Sequence, residues 1–223
     1  MPAQTDPPSA PGASSLFYDR LLDYIVVALL AVEGLVAAWL GVSMSSSIDR
    51  AFADDVAAEF AASGDLPPGV TEAELADAVL DLGAWAAGGL AATGVALLAV
   101  AVLFYRYRGR VVDRVEAGER APRWHAPLLG GILATALLFV PFVQVLGGGV
   151  AGYLSDRSSV VDGALAGVVF GAPGFVLWGA LVVGALRSGL PSLSVLFGGA
   201  LILYVVVDVV LATIGGLVGG LVA

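Results

Sequence analysis

Long apolar stretches dominate this chain, and only two charged side chains, Glu33 and Asp208, fall inside them. Mean hydropathy is +0.94 and 59% of the residues are hydrophobic, which is far above the norm for soluble domains. A charged side chain at the centre of a bilayer costs at least ~2.5–3.5 kcal/mol, so charges are expected in the connections. The pattern predicts an all-α fold, a polytopic transmembrane helix bundle.

The lengths of the apolar stretches set the number of crossings. Three stretches fit a hydrocarbon core ~30 Å thick: about residues 24–43, 83–105 and 163–186. Two more, 127–154 and 190–223, are too long for one straight crossing. We predict five spans, or six if the carboxy-terminal stretch is re-entrant or a hairpin. Whether each long stretch crosses once or turns back stays open.

Breaks within the two long stretches are suggested by particular residues. In the first, Pro141 and the glycines at 147–149 offer places to kink or break a helix. In the second, residues 190–196 are interpreted as an interfacial lead-in to a span over 197–220. Each break would remove the excess length of its stretch.

Polar segments divide the chain further. Residues 1–15 are predicted to be a disordered tail, because they are rich in Pro, Ser and Ala without periodicity. Residues 16–105 hold two transmembrane helices joined by an acidic outer loop, 44–82. Residues 106–125 form an Arg-rich inner loop, and residues 126–223 form a Gly-rich transmembrane bundle.

The arginines predict the orientation. All ten basic residues are Arg, and with a cytoplasmic N-terminus only Arg50 and Arg157 fall outside. Cytoplasmic segments of membrane proteins carry the excess of basic residues, which favours a multi-pass protein of the cell membrane with its N-terminus inside. The eight predicted inner arginines are Arg20, Arg106, Arg108, Arg110, Arg114, Arg120, Arg123 and Arg187.

The acidic loop 44–82 has helical periodicity. Ile48, Phe52, Val56 and Phe60 recur every fourth residue between acidic side chains, which predicts an amphipathic helix lying on the membrane surface or packing on the bundle. Residues 66–69, Leu-Pro-Pro-Gly, end it. Thr71 and Glu74 have the spacing of a capping box, which predicts a new helix running into the second span. A ligand-sensing role for this loop is the alternative.

Composition excludes several kinds of chemistry. The chain has no Cys and a single His, His125, so disulfides, haem and Cys/His zinc sites are excluded within one chain. We expect no metal, no cofactor, no nucleic-acid partner and no enzymatic activity. His125 is predicted to be interfacial. The acidic, Lys-free composition indicates a halophilic archaeon, where salt screens carboxylate repulsion; a GC-rich genome is the alternative explanation.

Glycines recur at helical spacing in the carboxy-terminal half. Small residues four apart let helices approach closely, within one subunit or between copies in a homo-oligomer. The glycines in question are Gly148, Gly152, Gly163, Gly167, Gly171, Gly215, Gly216, Gly219 and Gly220. Several also repeat at an offset of 68, between 129–152 and 197–220, which could mark the repeated halves of a transporter.

Residues 139–167 carry a further pattern. Pro141 is followed by Phe142, then by Gly-Gly-Gly-Val-Ala-Gly-Tyr-Leu at 147–154 and by Gly163 and Gly167. This PF turn, GG-xx-AGYL segment and G-x-x-x-G helix resemble a family of haloarchaeal multi-pass membrane proteins of unknown function, over roughly residues 126–223. The resemblance implies no activity, cofactor or catalytic residue.

Glu33 and Asp208 are the candidate intramembrane polar site, with Gln144 as a polar neighbour. The favoured interpretation is a structural or accessory membrane protein, self-associating through its glycine faces. There the carboxyls are protonated and hydrogen-bonded between helices, and no ion pair with an Arg at matching depth is expected. The alternative is a transporter or channel for protons, cations or small solutes. That alternative requires the two carboxyls to face one cavity.

Overall fold

The computed structural model describes residues 20–155 and 158–223, so the predicted tail 1–15 lies outside the described part. Within that part the chain is all-α. The helices are α1 (Arg20–Ser47), α2 (Arg50–Ser63), α3 (Glu72–Glu116), α4 (His125–Ala136), α5 (Val143–Tyr153), α6 (Ser159–Arg187) and α7 (Pro191–Val222). Four of them, α1, α3, α6 and α7, are long and apolar enough to cross a membrane.

Helix α3 extends beyond the bilayer. Its 45 residues are about 67 Å long at 1.5 Å per residue, whereas a bilayer with headgroups is ~40–45 Å thick. The first half of the segment 106–125, predicted to be a loop, is therefore the end of α3. Four arginines of this segment lie on the helical extension of α3. The direction in which each of these side chains points is therefore set by the 3.6-residue period of the helix.

Helices α4 and α5 form an antiparallel hairpin. A Cβ on Gly130 would lie 2.9 Å from Ala151 Cβ, and one on Gly147 would lie 2.6 Å from Ala134 Cβ. Residue numbers therefore rise along α4 while those of the contacting residues fall along α5. The turn between them contains Pro141 and ends at Phe142, the one described non-Gly residue with positive φ, 58°. The stretch 127–154 thus turns back on itself.

The place of this break was predicted in part. Pro141 lies in the turn, where its missing N–H leaves no helical hydrogen bond to lose. The glycines at 147–149 were offered as a second place for a break, and that prediction is wrong. They lie inside α5, where Gly147 and Gly148 are buried and let neighbouring helices approach.

Because of the hairpin, α6 runs in the direction opposite to α3. A Cβ on Gly89 of α3 would lie 2.5 Å from Ala180 Cβ, and one on Gly184 would lie 2.8 Å from Trp85 Cβ, so α3 and α6 are antiparallel. The Arg187 guanidinium lies 5.4 Å from the centre of the Trp85 ring. Arg187 is therefore at the acidic end of the bundle. The prediction that Arg187 lies on the same side of the membrane as Arg106 is wrong.

Helix α7 runs unbroken for 32 residues and packs parallel to α5. Ala212 lies against Gly148, and Gly216 lies against Gly152, an offset of 64 at each contact. The two glycine segments that repeat in sequence therefore pack on each other. One lies in a hairpin and the other in a straight helix, so they are not equivalent halves of a transporter.

The acidic segment folds as α2 and packs on the first turns of α3. Asp49 caps α2 by accepting a hydrogen bond from the Phe52 N–H, at 2.9 Å. Of the predicted apolar face, Phe52 is 46% exposed and Phe60 is 45% exposed, whereas Ile48 and Val56 are partly buried. The buried residues are Ala53 and Ala57, one position further round the helix, where small side chains permit close contact with α3.

The capping box at the start of α3 is confirmed. The Thr71 hydroxyl accepts from the Glu74 N–H, and the Glu74 carboxylate accepts from the Thr71 N–H at 2.8 Å. Residues 64–71 between α2 and α3 are non-helical. Arg50 joins the two helices by pairing with Asp54 at 2.8 Å and with Asp77.

Candidate functional site

Asp208 lies at the junction of α5, α6 and α7. It is 2% exposed, and its Oδ1 accepts a hydrogen bond from Gln144 Nε2 at 2.9 Å. On the α6 side, a Cβ on Gly167 would lie 2.8 Å from the Asp208 carbonyl oxygen, and one on Gly171 would lie 3.5 Å from Oδ2. The Tyr204 hydroxyl lies near the same carboxyl. The structure therefore places Gln144 beside Asp208.

This carboxyl sits where the hairpin turns. Gln144 is the second residue of α5, two positions after Phe142, which has the left-handed conformation. Non-helical backbone is tolerated at membrane depth only where protein or a water-filled cavity surrounds it. Asp208 Oδ2 has no hydrogen-bond partner among residues 20–155 and 158–223. The hydrogen bond between Gln144 of α5 and Asp208 of α7 thus lies next to the turn of the hairpin.

Glu33 lies in a different part of the bundle. It is partly buried on α1, next to Gly34, whose Cβ would lie 2.8 Å from the Gly94 carbonyl oxygen of α3. Helix α1 packs on α3 and α4, whereas α7 packs on α5 and α6. No partner within the described part of the chain reaches Glu33 Oε2. The structure does not bring Glu33 to Asp208 or Gln144.

A second polar site was missed by sequence reasoning. Arg108 is 0% exposed, and its Nε donates to Asp23 Oδ1 at 2.6 Å. Its Nη1 lies 3.1 Å from His125 Nε2. Because a guanidinium only donates, His125 Nε2 accepts and the ring proton is assigned to Nδ1. Burial, with the Arg108 charge adding to it, lowers the pKa of His125 to about 4, which keeps the ring neutral at neutral pH.

Two features of this site were not predicted. His125 is 2% exposed, and the ion pair of Arg108 with Asp23 is buried. The signal was present in the helical spacing. Arg108 follows Phe104 by four residues and precedes Val111 and Val112, which are all buried on one face of α3. Asp23 likewise precedes the buried Val26 of α1 by three residues.

The nine glycines selected from the sequence all have their nearest atoms within this chain. A Cβ on Gly163 would lie 2.7 Å from Gly216 Cα, and one on Gly148 would collide with the Ala212 carbonyl oxygen. Gly152, Gly215, Gly216 and Gly219 meet backbone in the same way. These glycines pack α5, α6 and α7 together within one chain.

Chemical groups for catalysis or metal binding are sparse. In the described residues, no three His, Asp or Glu side chains are grouped in a way that could hold a metal ion. The two polar sites described above are one ion pair with a neutral His and one carboxyl–amide contact. The fold and these sites define an α-helical membrane protein.

Comparison with known proteins adds one finding. Residues 124–222 match the family model described as a family of unknown function (DUF5518). The match covers the hairpin, α6 and α7, nearly the extent of the resemblance inferred from the sequence. No curated protein and no solved structure matches the chain.

Proposed function

We propose that this chain is a structural or accessory membrane protein without enzymatic activity. The observation that supports this proposal is the separation of its intramembrane polar groups. Asp208 binds Gln144 between α5 and α7, whereas Glu33 lies on α1, which packs on α3 and α4. Transport requires polar groups that follow one another along a path. Here, the polar groups lie in separate contacts between helices, which suits a packed scaffold.

The proposed topology has four crossings and one re-entrant hairpin. The positive-inside rule then puts the arginine-rich end of α3 and the N-terminus in the cytoplasm of a cell-membrane protein. Because the hairpin returns to the side from which it entered, both chain ends lie on that side. Arg50 and Arg187 are the two described arginines at the opposite end. The excess of arginines at the proposed cytoplasmic end, which predicted the orientation, is therefore retained.

Self-association would use a surface other than the glycines packed between α5, α6 and α7. At Gly198 and Gly199 of α7, a Cβ would have no atom of the described chain within 4 Å. These two glycines leave the outward face of α7 open to a second helix. A homo-oligomer would therefore form at the acidic end of α7.

Adaptation to high salt is part of the same proposal. Asp49, Asp54, Asp55 and Glu59 are all exposed on or beside α2, and the chain has a formal net charge of −9. Molar salt screens the repulsion among such carboxylates over a few ångströms. This supports an origin in a halophilic archaeon.

Transport through Asp208 is the second candidate function. Two observations favour it: the helix break beside Gln144, and the absence of a hydrogen-bond partner for Asp208 Oδ2 in the described residues. Broken helices at the membrane midplane form ion sites in several transporter folds. In this version Glu33 takes no part, because it packs on other helices.

Flux measurements distinguish the two candidates. The purified chain is reconstituted into sealed vesicles, and proton, Na⁺ and K⁺ fluxes are compared with those of protein-free vesicles, with an ionophore as the positive control. For an accessory protein we expect no flux above the protein-free level in wild type, Glu33→Gln and Asp208→Asn. A wild-type flux that Asp208→Asn abolishes and Glu33→Gln leaves unchanged would replace the proposal with transport at Asp208.

A further inference from the structure

A long apolar groove lies between α3, α4 and α6. Its volume is about 580 Å³, and its walls include Val100, Leu128, Val169 and Ala172. Along α3 it extends from Ala96 to Arg110, which is about 21 Å at 1.5 Å per residue. The deep end is apolar, and the arginines lie at the end nearest the membrane surface. The groove is thus a narrow apolar channel with a basic mouth.

The two arginines at the mouth have no carboxylate partner in the part of the chain that the structure describes. Arg106 and Arg110 are four residues apart, so they lie on one face of α3. Within residues 20–155 and 158–223, neither forms an ion pair, although Arg20 pairs with Asp113 and Arg108 pairs with Asp23. Two exposed guanidinium groups therefore remain without neutralisation at the entrance of an apolar groove.

The distribution of charge in the groove favours a lipid over a partner helix. Its walls along Val100, Leu128 and Val169 are apolar, whereas its mouth carries two guanidinium groups. A phospholipid has the matching arrangement, because an anionic phosphate is joined to apolar chains.

We propose that this groove binds one anionic phospholipid from the leaflet at the arginine-rich end. The phosphate lies between Arg106 and Arg110, whose guanidinium forks match phosphate oxygens. One lipid chain follows the groove past Val100 towards Ala172. Two uncompensated positive charges favour a net negative headgroup over a zwitterionic one. The lipid fills the space between α3, α4 and α6 and holds the hairpin against the bundle.

Lipid binding to the full chain tests this directly. The protein is purified in a neutral detergent and titrated with short-chain phosphatidylglycerol, phosphatidylcholine or inorganic phosphate, and dissociation constants are measured. We expect phosphatidylglycerol to bind most tightly and inorganic phosphate not to compete. The double variant Arg106→Gln/Arg110→Gln should weaken phosphatidylglycerol binding by about tenfold or more, because it removes both charges that attract the anionic headgroup.

Two further variants separate headgroup from chain. Ala172→Leu fills the exposed groove without touching the arginines, and we expect it to weaken binding of the phospholipid as well. Arg114→Gln removes a charge from the same helix outside the groove and should leave binding within about twofold of wild type. Equal binding of phosphatidylcholine, full competition by phosphate, an unaffected Ala172→Leu, or an equal loss in Arg114→Gln would each overturn the proposal.

Discussion

Arg108 and Asp23, 85 positions apart in the chain, form an ion pair at 2.6 Å with side chains 0% and 6% exposed. Taking both charges out of water is costly unless each is fully compensated. Here His125 adds a third polar group to the contact. The pair joins α1 to α3, and His125 brings in the first residue of α4. It thus fixes where the hairpin begins relative to the first two long helices.

Removing one partner of this pair should destabilise the bundle strongly. We expect Arg108→Gln to lower the free energy of unfolding in mild detergent by ~3–5 kcal/mol, because Asp23 is left buried without a counter-charge. The exposed pair Arg20–Asp113, at 3.7 Å, supplies the control, and Arg20→Gln should cost ~1 kcal/mol or less. The double variant Asp23→Asn/Arg108→Gln should cost less than the sum of the single variants. Equal effects of Arg108→Gln and Arg20→Gln would contradict this.

The close contact of α5 and α7 predicts sensitivity to a single methyl group. Gly148→Ala directs Cβ onto the Ala212 carbonyl oxygen, so we expect a loss of ~1–3 kcal/mol from overpacking and a lower melting temperature. Gly179→Ala is the matched control, because it lies in α6 with no atom within 4 Å of the new Cβ. It should be neutral or stabilising by up to ~1 kcal/mol. A melting temperature for Gly148→Ala equal to that of Gly179→Ala would count against the packing described here.

The capping box at Thr71 predicts a local dependence on pH. The N–H and hydroxyl of Thr71 lower the pKa of the Glu74 carboxyl. A lowered pKa means that Glu74 stabilises the helix start above its unfolded-state pKa and that this contribution is lost as the pH falls through the folded-state pKa. Amide exchange at Thr71 and Glu74, corrected for intrinsic rate, should therefore be more protected at about pH 6 than at about pH 3.

The matched variant is Glu74→Gln, which keeps the shape of the side chain and removes its charge. Its amide protection at the start of α3 should not change between these two pH values. If wild type and Glu74→Gln respond to acid alike, the carboxylate is not the group responsible.

Salt should stabilise the acidic end specifically. Raising KCl from about 0.1 M to about 2 M shortens the Debye length from ~10 Å to less than ~3 Å, so we expect the melting temperature of wild type to rise. The double variant Asp55→Asn/Glu59→Gln removes two exposed charges of α2 and should show a smaller rise. The same rise in both proteins would place the salt effect elsewhere in the chain.

Several features of the fold followed from sequence because they depend on local physics. Glu33 and Asp208 stand out since charge is costly in lipid, and Thr71 and Glu74 have the spacing of a cap. The reversal at Pro141 could not be predicted in the same way. Hydropathy gives the length of an apolar stretch, but a kink and a hairpin of that length have the same composition. Only the contact of Gly130 with Ala151 distinguishes them.

The polar sites show a similar division. Gln144 and Asp208 could be nominated because each is polar within an apolar stretch, whereas their hydrogen bond depends on the parallel packing of α5 and α7. Arg108 was assigned to a loop because counting charges takes no account of where a helix ends. Because α3 continues past residue 106, helical periodicity places Arg108 on the buried face of α3, where it contacts Asp23.

The central claim is that the hairpin returns to the arginine-rich end, so that α6 starts there and ends at the acidic end. The chain has no Cys, which permits labelling of single cysteines with an impermeant maleimide in sealed vesicles without background. Glu119→Cys and Ser63→Cys mark the two sides. We predict that Ser158→Cys labels from the side of Glu119→Cys and Ser188→Cys from the side of Ser63→Cys. The reverse pairing would show that residues 127–154 cross the membrane once, and would contradict the account.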